Sequence, residues 1–218
     1  TVAKEVFDFI DFEKDSWVIK GDFKGFFDNL NHNVLNRNTR KVLGLKHTSL
    51  ELDTWMKVLK NIERYVYIEK SQLLNELNHQ IVRRKGKTAY FKSIENFGQF
   101  VKRNKYLLKK NQKKGIPQGT SISAVLANVY MIDFDKKVCA LLKNLGGMYR
   151  RYSDDFIIVI PKEKVSCFEF SNIFKKIISL SSTLLHLDIE EEKTRRLSIN
   201  YGMVKDLQKE TCSAPTSS

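Results

Sequence analysis

The stretch Arg151–Pro161, RYSDDFIIVIP, sets two adjacent carboxylates, Asp154 and Asp155, directly before five apolar residues, Phe156 to Ile160. The apolar run has the composition of a strand buried within a sheet. Met148–Tyr152, mixed apolar and basic, reads as a second strand, and only Ser153, Asp154 and Asp155 lie between the two. A tight hairpin is expected, although the Asn-Gly or Asp-Gly signature of a two-residue turn is missing. Adjacent residues on a strand point to opposite faces, but at a hairpin tip two acids can approach one point in space. Close like charges repel and require a counter-charge, and hard oxygen ligands suit Mg²⁺. An isolated Asp-Asp pair is more often a solvated turn, so the rest of the chain has to decide.

A second strand ends in an acid. In SWVIKGDF, Ser16–Phe23, Trp17 and Ile19 fall on one face, with Val18, Lys20 and Asp22 on the other. Three carboxylates at strand ends of one sheet could hold two Mg²⁺ ions, an arrangement that activates an attacking hydroxyl and stabilises a leaving pyrophosphate. Helices are expected over Asn33–Leu43, Ser49–Asn61 and Val165–Leu185, with mostly helical stretches at Asn75–Ile81 and Ile94–Asn111. Arg64–Lys70 fits a strand or a helix end. Lys114–Ser123, KGIPQGTSIS, is a loop punctuated by Gly and Pro. From Ser121 the spacing of Ile122, Val125, Leu126, Val129 and Ile132 predicts an amphipathic helix capped by Thr120 or Ser121. Leu187–Gly202 reads as a turn and a short strand, and residues 208–218 have a disordered composition.

Charge is the first hint of a partner. The formal net charge is +13, and Arg83–Gly115 carries twelve Lys or Arg against one acid, Glu95. Tyr90, Phe91, Phe97, Phe100 and Tyr106 interleave these cations. Such a run is either a solvated helical face or a phosphate-binding surface that displaces counterions from nucleic acid. Cys139, Cys167 and Cys212 are odd in number and far apart, which fits a reducing compartment and gives no zinc pattern. His32, His47, His79 and His186 are equally scattered. No run of 18 apolar residues exists, so no transmembrane helix is expected, and the N-terminus lacks the apolar centre of a signal peptide. A cytoplasmic location follows as an expectation. The absence of an initiator Met predicts a processed chain or a piece cut from something longer.

Three segments in order, KGDFKGFFDNL, GIPQGTSISAVLANVYM and RYSDDFIIVIP, resemble motifs A, B and C of reverse transcriptases, and LHLDIEEEKTRR, Leu185–Arg196, is similar to motif D. The resemblance anchors the chain from about Ser16 to Leu197. It implies an α+β fold: the palm of a right-hand polymerase, an antiparallel sheet packed on helices, with partial fingers and no legible thumb. The palm would span residues 1–207, with 33–114 inserted between motifs A and B.

The resemblance also implies roles. Asp22, Asp154 and Asp155 match the catalytic, metal-binding carboxylates, and the carbonyl of Phe23 is expected to face the metal, Mg²⁺ with Mn²⁺ as the alternative. Tyr152 matches the Tyr of the YxDD box. Phe27, five residues after Asp22, matches the aromatic gate beneath the nucleotide sugar, where a flat ring clashes with a 2′-hydroxyl. Asp28 is expected to have a structural hydrogen-bonding role. Gln118 and Gly119 match the loop that touches incoming nucleotide and template, with Gly119 letting backbone approach a ligand. Lys193 matches the lysine proposed to protonate pyrophosphate; a surface lysine beside Glu190, Glu191 and Glu192 is the competing reading. Implied partners are an RNA template or DNA primer and dNTPs, with no membrane; a homo-oligomer is compatible.

The departures are specific. Only about twenty residues precede Asp22, and neither a primer-grip hairpin nor a helical thumb is legible after motif D. The form SAVLANVYMIDFD, Ser123–Asp135, is like retron, group II intron and abortive-infection reverse transcriptases. The long insertion and the missing primer grip lean towards the phage-defence group. Two other classes compete. An RNA-dependent RNA polymerase usually has an Asp where this chain has Phe27, and a Gly where it has Ser153. A non-catalytic nucleic-acid-binding palm has no need for the acid trio.

Overall fold

The computed structural model describes residues 1–44, 48–77, 82–84, 87–111 and 113–207, with backbone only for 82–84 and 87–88. The chain opens with helix α1, Val2–Glu13, and strand β1, Asp15–Gly21. The short α2, Phe26–Asn29, and α3, His32–Leu43, follow. Then come α4, Ser49–Glu63; β2, Val66–Tyr67; α5, Lys70–Glu76; and the hairpin β3, Val82–Arg84, with β4, Lys87–Ala89. Helix α6, Ile94–Arg103, leads through a 3₁₀ turn to β5, Lys109–Lys110. The C-terminal half holds α7, Ser121–Lys143; β6, Met148–Tyr152; β7, Asp155–Pro161; α8, Cys167–Leu180; β8, Arg195–Asn200; and β9, Met203–Asp206.

One five-stranded antiparallel sheet, in the order β6-β7-β1-β8-β9, carries the fold. Both of its faces are covered. Ile19 of β1 and Phe156, Ile158 and Ile160 of β7 join the main core with α3, α7 and α8. Val18 and Val159 point the other way, against Val6 of α1. Two-sided burial explains why β7 reads as a continuous apolar run and not as an alternating one. The strand expected over Ser16–Phe23 keeps its alternation, with Trp17 stacked on Phe170 at 5.3 Å and donating through Nε1 to the Val165 carbonyl at 2.8 Å. The α+β palm architecture is thus present.

Helix starts follow side-chain capping. The Asn31 side chain accepts from the amides of Asn33 and Val34, and Thr48 and Ser166 form reciprocal boxes with Glu51 and Glu169. Buried Asn38 ties α3 to α7 by donating to the Tyr130 carbonyl at 2.9 Å.

Several local expectations are corrected. The helix expected over Ile94–Asn111 stops at Arg103, because Lys109–Lys110 pairs with Val66–Tyr67; strand pairing outweighs local propensity there. The helical stretch expected over Asn75–Ile81 ends at Glu76, and residues 78–81 lie outside the described residues. On α7, Ile122 and Val125 are exposed, while Leu126, Ala127, Tyr130, Met131, Phe134, Val138 and Leu142 are buried. Of the five residues the spacing singled out, only Leu126 is buried, and the stripe that faces the core is carried mainly by residues outside that set. Thr120 caps α7 without a side-chain bond to its amides; its hydroxyl meets that of Ser123 at 2.5 Å. After motif D a full hairpin, β8–β9, turns through Tyr201 and Gly202, both at positive φ. The disordered tail expected over 208–218 lies outside the described residues.

Among the described residues no helix is long and apolar enough to cross a membrane. Cys139 carries a free thiol.

Candidate active site

Register places the acids. Gly21 pairs with Phe156 across β1 and β7, so Asp22 leaves its strand beside the β6–β7 turn. Gly21 is required at that point: a Cβ there would lie 2.3 Å from the Phe156 ring, which packs on Phe23 at 5.4 Å. The turn itself is two residues, Ser153 and Asp154, closed by the Tyr152–Asp155 pair, with Ser153 at φ 58°. A left-handed residue at the first turn position matches the twist of the flanking strands, here without glycine.

Asp22 shows the strain of this arrangement. Its Oδ1 is buried with no hydrogen-bond partner. Burial raises its carboxyl above the usual carboxylate range, Asp154 and then Asp155 raise it further, Lys193 opposes them, and Glu190 adds to the rise. The three acids of the hairpin and β1 therefore share one electrostatic field. They are not closed into a ligand cage: among the described residues no group of three or more His, Cys, Asp or Glu is arranged to hold a metal. Mutual repulsion of three like charges is a sufficient reason for the open spacing.

The donors nevertheless fit a hard divalent cation. An unpartnered carboxylate oxygen costs free energy until something electropositive meets it. Oxygen donors suit Mg²⁺ and Mn²⁺. The Glu190 amide donates to the Asp22 carbonyl and the Lys24 amide to the Asp188 carbonyl, both at 2.9 Å, while Phe23 bridges Ile189. Phe23 and Ile189 are thus a non-hydrogen-bonded pair, which leaves the Phe23 carbonyl unused by Ile189. Its ring is buried against Phe26, Phe134 and Phe156.

Sequence reasoning missed the brace behind the turn. Arg151, with a nearly buried side chain, donates from Nε and Nη2 to the two oxygens of Asp135 at 3.1 and 2.8 Å. The same guanidinium donates to the Ser153 carbonyl at 2.8 Å and to Asn128 Oδ1 at 3.2 Å, and the Tyr149 hydroxyl donates to Asp135 at 2.7 Å. The forked donor geometry of arginine suits this bidentate role. Burial, then the Asp135 charge and hydrogen bond, push the Tyr149 phenol well above its ordinary value. The only sequence signal was a basic residue three positions before Asp154.

The expected nucleotide-side residues are distributed as follows. Phe26 is buried and Phe27 only partly so, the two rings meeting edge to face at 5.2 Å. The Ile116 amide donates to the Phe27 carbonyl at 2.9 Å, joining the motif A turn to the loop that carries Gln118 and Gly119, both exposed. Gly119 has φ 83° with open space where a Cβ would stand. Tyr152 is 81% exposed at the hairpin tip. Asp28 is exposed, and its charge adds to burial in raising the Tyr65 phenol. Lys193 bonds Glu190 at 2.9 Å, and that bond, then the Glu190 charge, raises its ammonium; Asp22 contributes as well. The surface pairing and the proximity to Asp22 therefore coexist.

Within the basic segment, Phe91 packs against Phe97 at 5.2 Å and Phe100 at 5.1 Å, a small cluster of its own. Lys92, Lys102, Arg103, Lys105 and Lys110 are exposed, Lys109 pairs with Glu69 at 2.6 Å, and Lys114 donates to Asn29 of α2 at 2.7 Å. The segment is thereby tied to the motif A turn. The side chains of Arg83 and Arg84 lie outside the described residues.

Comparison with known proteins bears on the family and the fold. The family model described as reverse transcriptase (RNA-dependent DNA polymerase) matches residues 6–212. Similar solved structures include apo telomerase from Candida tropicalis, 19% identical with a TM-score of 0.53, covering 94% of this chain and 36% of that one. Telomerase from Candida tropicalis in complex with a TWJ fragment of telomeric RNA is 19% identical with a TM-score of 0.52, covering 100% and 34%. Telomerase from Candida albicans, also with a TWJ fragment of telomeric RNA, is 16% identical at 0.50, covering 94% and 33%. At such identity the likeness is one of fold. This chain spans about a third of the length of those telomerase chains. No curated protein matches.

Proposed function

Because this chain belongs to the reverse transcriptase family, we propose that it carries the palm of an RNA-directed DNA polymerase, a nucleotidyltransferase that extends a nucleic-acid 3′ end with dNTPs. The observation that carries the reading is the buried, unpartnered Asp22 Oδ1 in the field of Asp154 and Asp155. In the reaction the 3′-oxygen forms a bond to the α-phosphorus of the nucleotide, and pyrophosphate leaves. Asp22, Asp154, Asp155 and the Phe23 carbonyl would hold Mg²⁺ or Mn²⁺, which when bound would supply the charge to activate the hydroxyl and stabilise the leaving group. Lys193, its ammonium raised by Glu190 and then by Asp22, gives a proton to the pyrophosphate in this reading. Phe27 excludes a 2′-hydroxyl by shape. Gln118, Gly119 and Tyr152 line the approach of nucleotide and template. The basic segment holds RNA or DNA phosphates.

In domain terms, residues 1–207 form the palm, with 33–114 inserted between motifs A and B. The form of Ser123–Asp135 supports a bacterial mobile-element or defence type, and the long insertion supports the phage-defence branch. Primer extension by the chain, with and without RNA template, with dNTPs and then rNTPs, tests the reading. Template-directed dNTP incorporation that needs Mg²⁺ or Mn²⁺ and disappears in Asp154→Asn is expected. A preference for rNTPs would replace it with RNA polymerisation, and nucleic-acid binding without extension would replace it with a binding palm.

A further inference from the structure

The loop that carries Gln118 and Gly119 is held from behind by a cluster absent from the motif reading. Gly115 begins this anchorage. Its amide donates to the Leu30 carbonyl at 2.7 Å, its φ is 82°, and a Cβ would lie 2.7 Å from the Asp28 carbonyl oxygen. Its own carbonyl meets His32 Nε2 at 2.7 Å and accepts from Asn111 Nδ2 at 3.1 Å. A carbonyl only accepts, so His32 presents a protonated Nε2 to it. Asn111 also donates to the Glu63 carbonyl at 2.9 Å, and Asn36 Nδ2 donates to Glu63 Oε1 and to the His32 carbonyl, each at 2.6 Å. Glu63 is only 5% exposed at the end of α4. Four separate segments, α3, α4, the strand end at Asn111 and the Gly115 turn, converge here. The cluster closes the inner end of a cleft rimmed by Arg40, Asp53, Lys57, Lys60 and Arg64.

We propose that His32, braced with Glu63, Asn36 and Asn111, is a positioning residue that sets the height of the Ile116–Gly119 loop over the motif A turn, and so governs nucleotide binding. The mechanical link is short. Gly115 is held at both its amide and its carbonyl, and the next amide, Ile116, bonds the Phe27 carbonyl. Ile116 is fully buried and acts as the pivot. Moving the Gly115 peptide therefore moves Gln118 and Gly119 against Phe27, while Asp22 and the hairpin, held by β1, β7 and Arg151, stay in place. The proposal rests on the polymerase reading for its kinetic consequence, though not for its structural one.

Two measurements on the 218-residue chain separate the two. Hydrogen exchange needs no activity: His32→Ala should speed exchange at the Gly115 and Ile116 amides, held by the Leu30 and Phe27 carbonyls, and leave β1 and β7 protected, and His32→Gln, whose amide can donate to the same carbonyl, should restore protection. In primer extension, His32→Ala should raise the dNTP KM about tenfold, the worth of one lost hydrogen bond, with kcat nearly unchanged, and His32→Gln should recover most of it. Asn111→Ala should follow in milder form. Unchanged exchange at the Gly115 and Ile116 amides overturns the proposal, as does a fall in kcat at constant KM or a loss of protection across the whole sheet. If the unaltered chain extends nothing, the polymerase reading fails and the exchange result alone decides the anchorage.

Discussion

Arg151 Nη1 donates to the Ser153 carbonyl at 2.8 Å, so the residue that precedes Asp154 in the turn is tied to a guanidinium clamped on Asp135 of α7. The Ser153–Asp154 turn is thus braced by the helix behind it as well as by its own two strands. Arg151→Met should destabilise the chain by on the order of 2 kcal/mol, because Asp135, with a side chain 29% exposed, keeps only the Tyr149 hydroxyl as a donor. Arg151→Lys keeps the charge, loses the fork and should still cost much of the activity. Tyr149→Phe removes one hydrogen bond to the same carboxylate and should cost about 1 kcal/mol. Denaturant midpoints, measured beside extension rates, check the ranking; equal midpoints for Arg151→Met and Tyr149→Phe would contradict it.

Asp22 opposes folding in proportion to its charge. Its carboxyl is raised by burial, then by Asp154 and Asp155, so the folded chain holds its proton where the unfolded chain has released it. Stability in the absence of divalent cation should therefore fall as pH rises from the ordinary aspartate range through the raised one. Asp22→Asn should remove that fall and stabilise the cation-free chain by about 1 kcal/mol, discounted for contact with solvent. It should also abolish the rise in Tm on adding Mn²⁺. Asp154→Asn should lower the extension rate by orders of magnitude with the fold intact. Thermal melts across pH, with and without Mn²⁺, decide the point; a variant less stable than the parent at neutral pH would refute the charge argument.

Phe26 and Phe27 are neighbours with opposite fates. Phe26→Ala empties a buried site and should cost about 3–5 kcal/mol. Phe27→Ala should fold, retain most dNTP use and lose discrimination against rNTPs, since exclusion by shape disappears with the ring. Competition assays with paired dNTP and rNTP check this. Admission of ribonucleotides by Phe26→Ala instead would mean that the assigned gate is the wrong ring.

The basic segment should act through phosphates. Replacing Lys92, Lys102, Arg103 and Lys105 with Gln should weaken binding to unrelated nucleic-acid sequences alike and reduce the salt slope by roughly one unit per lost contact. Lys109 is a poor choice because Glu69 already holds it. Binding isotherms at several salt concentrations supply the slope, and an unchanged slope would mark the segment as merely solvated.

Sequence alone determined those features in which each residue's role depends on near neighbours. The hairpin, the alternation of β1 and the position of Asp22 at a strand end all follow from the period of two and from neighbouring polar residues. The tertiary structure alone decided which surfaces and partners those elements meet. Helix α7 carries apolar residues on more than one face, and only packing selects the stripe of Leu126, Tyr130 and Phe134 for the core. The His32 bond to Gly115 spans 83 residues, the Asn111 bond to Glu63 spans 48, and the Arg151–Asp135 pair spans 16. Such pairs leave no mark in local spacing, because their energy is gained only after the sheet and helices have brought distant segments together. A lone charge or histidine in a sequence is silent until that happens.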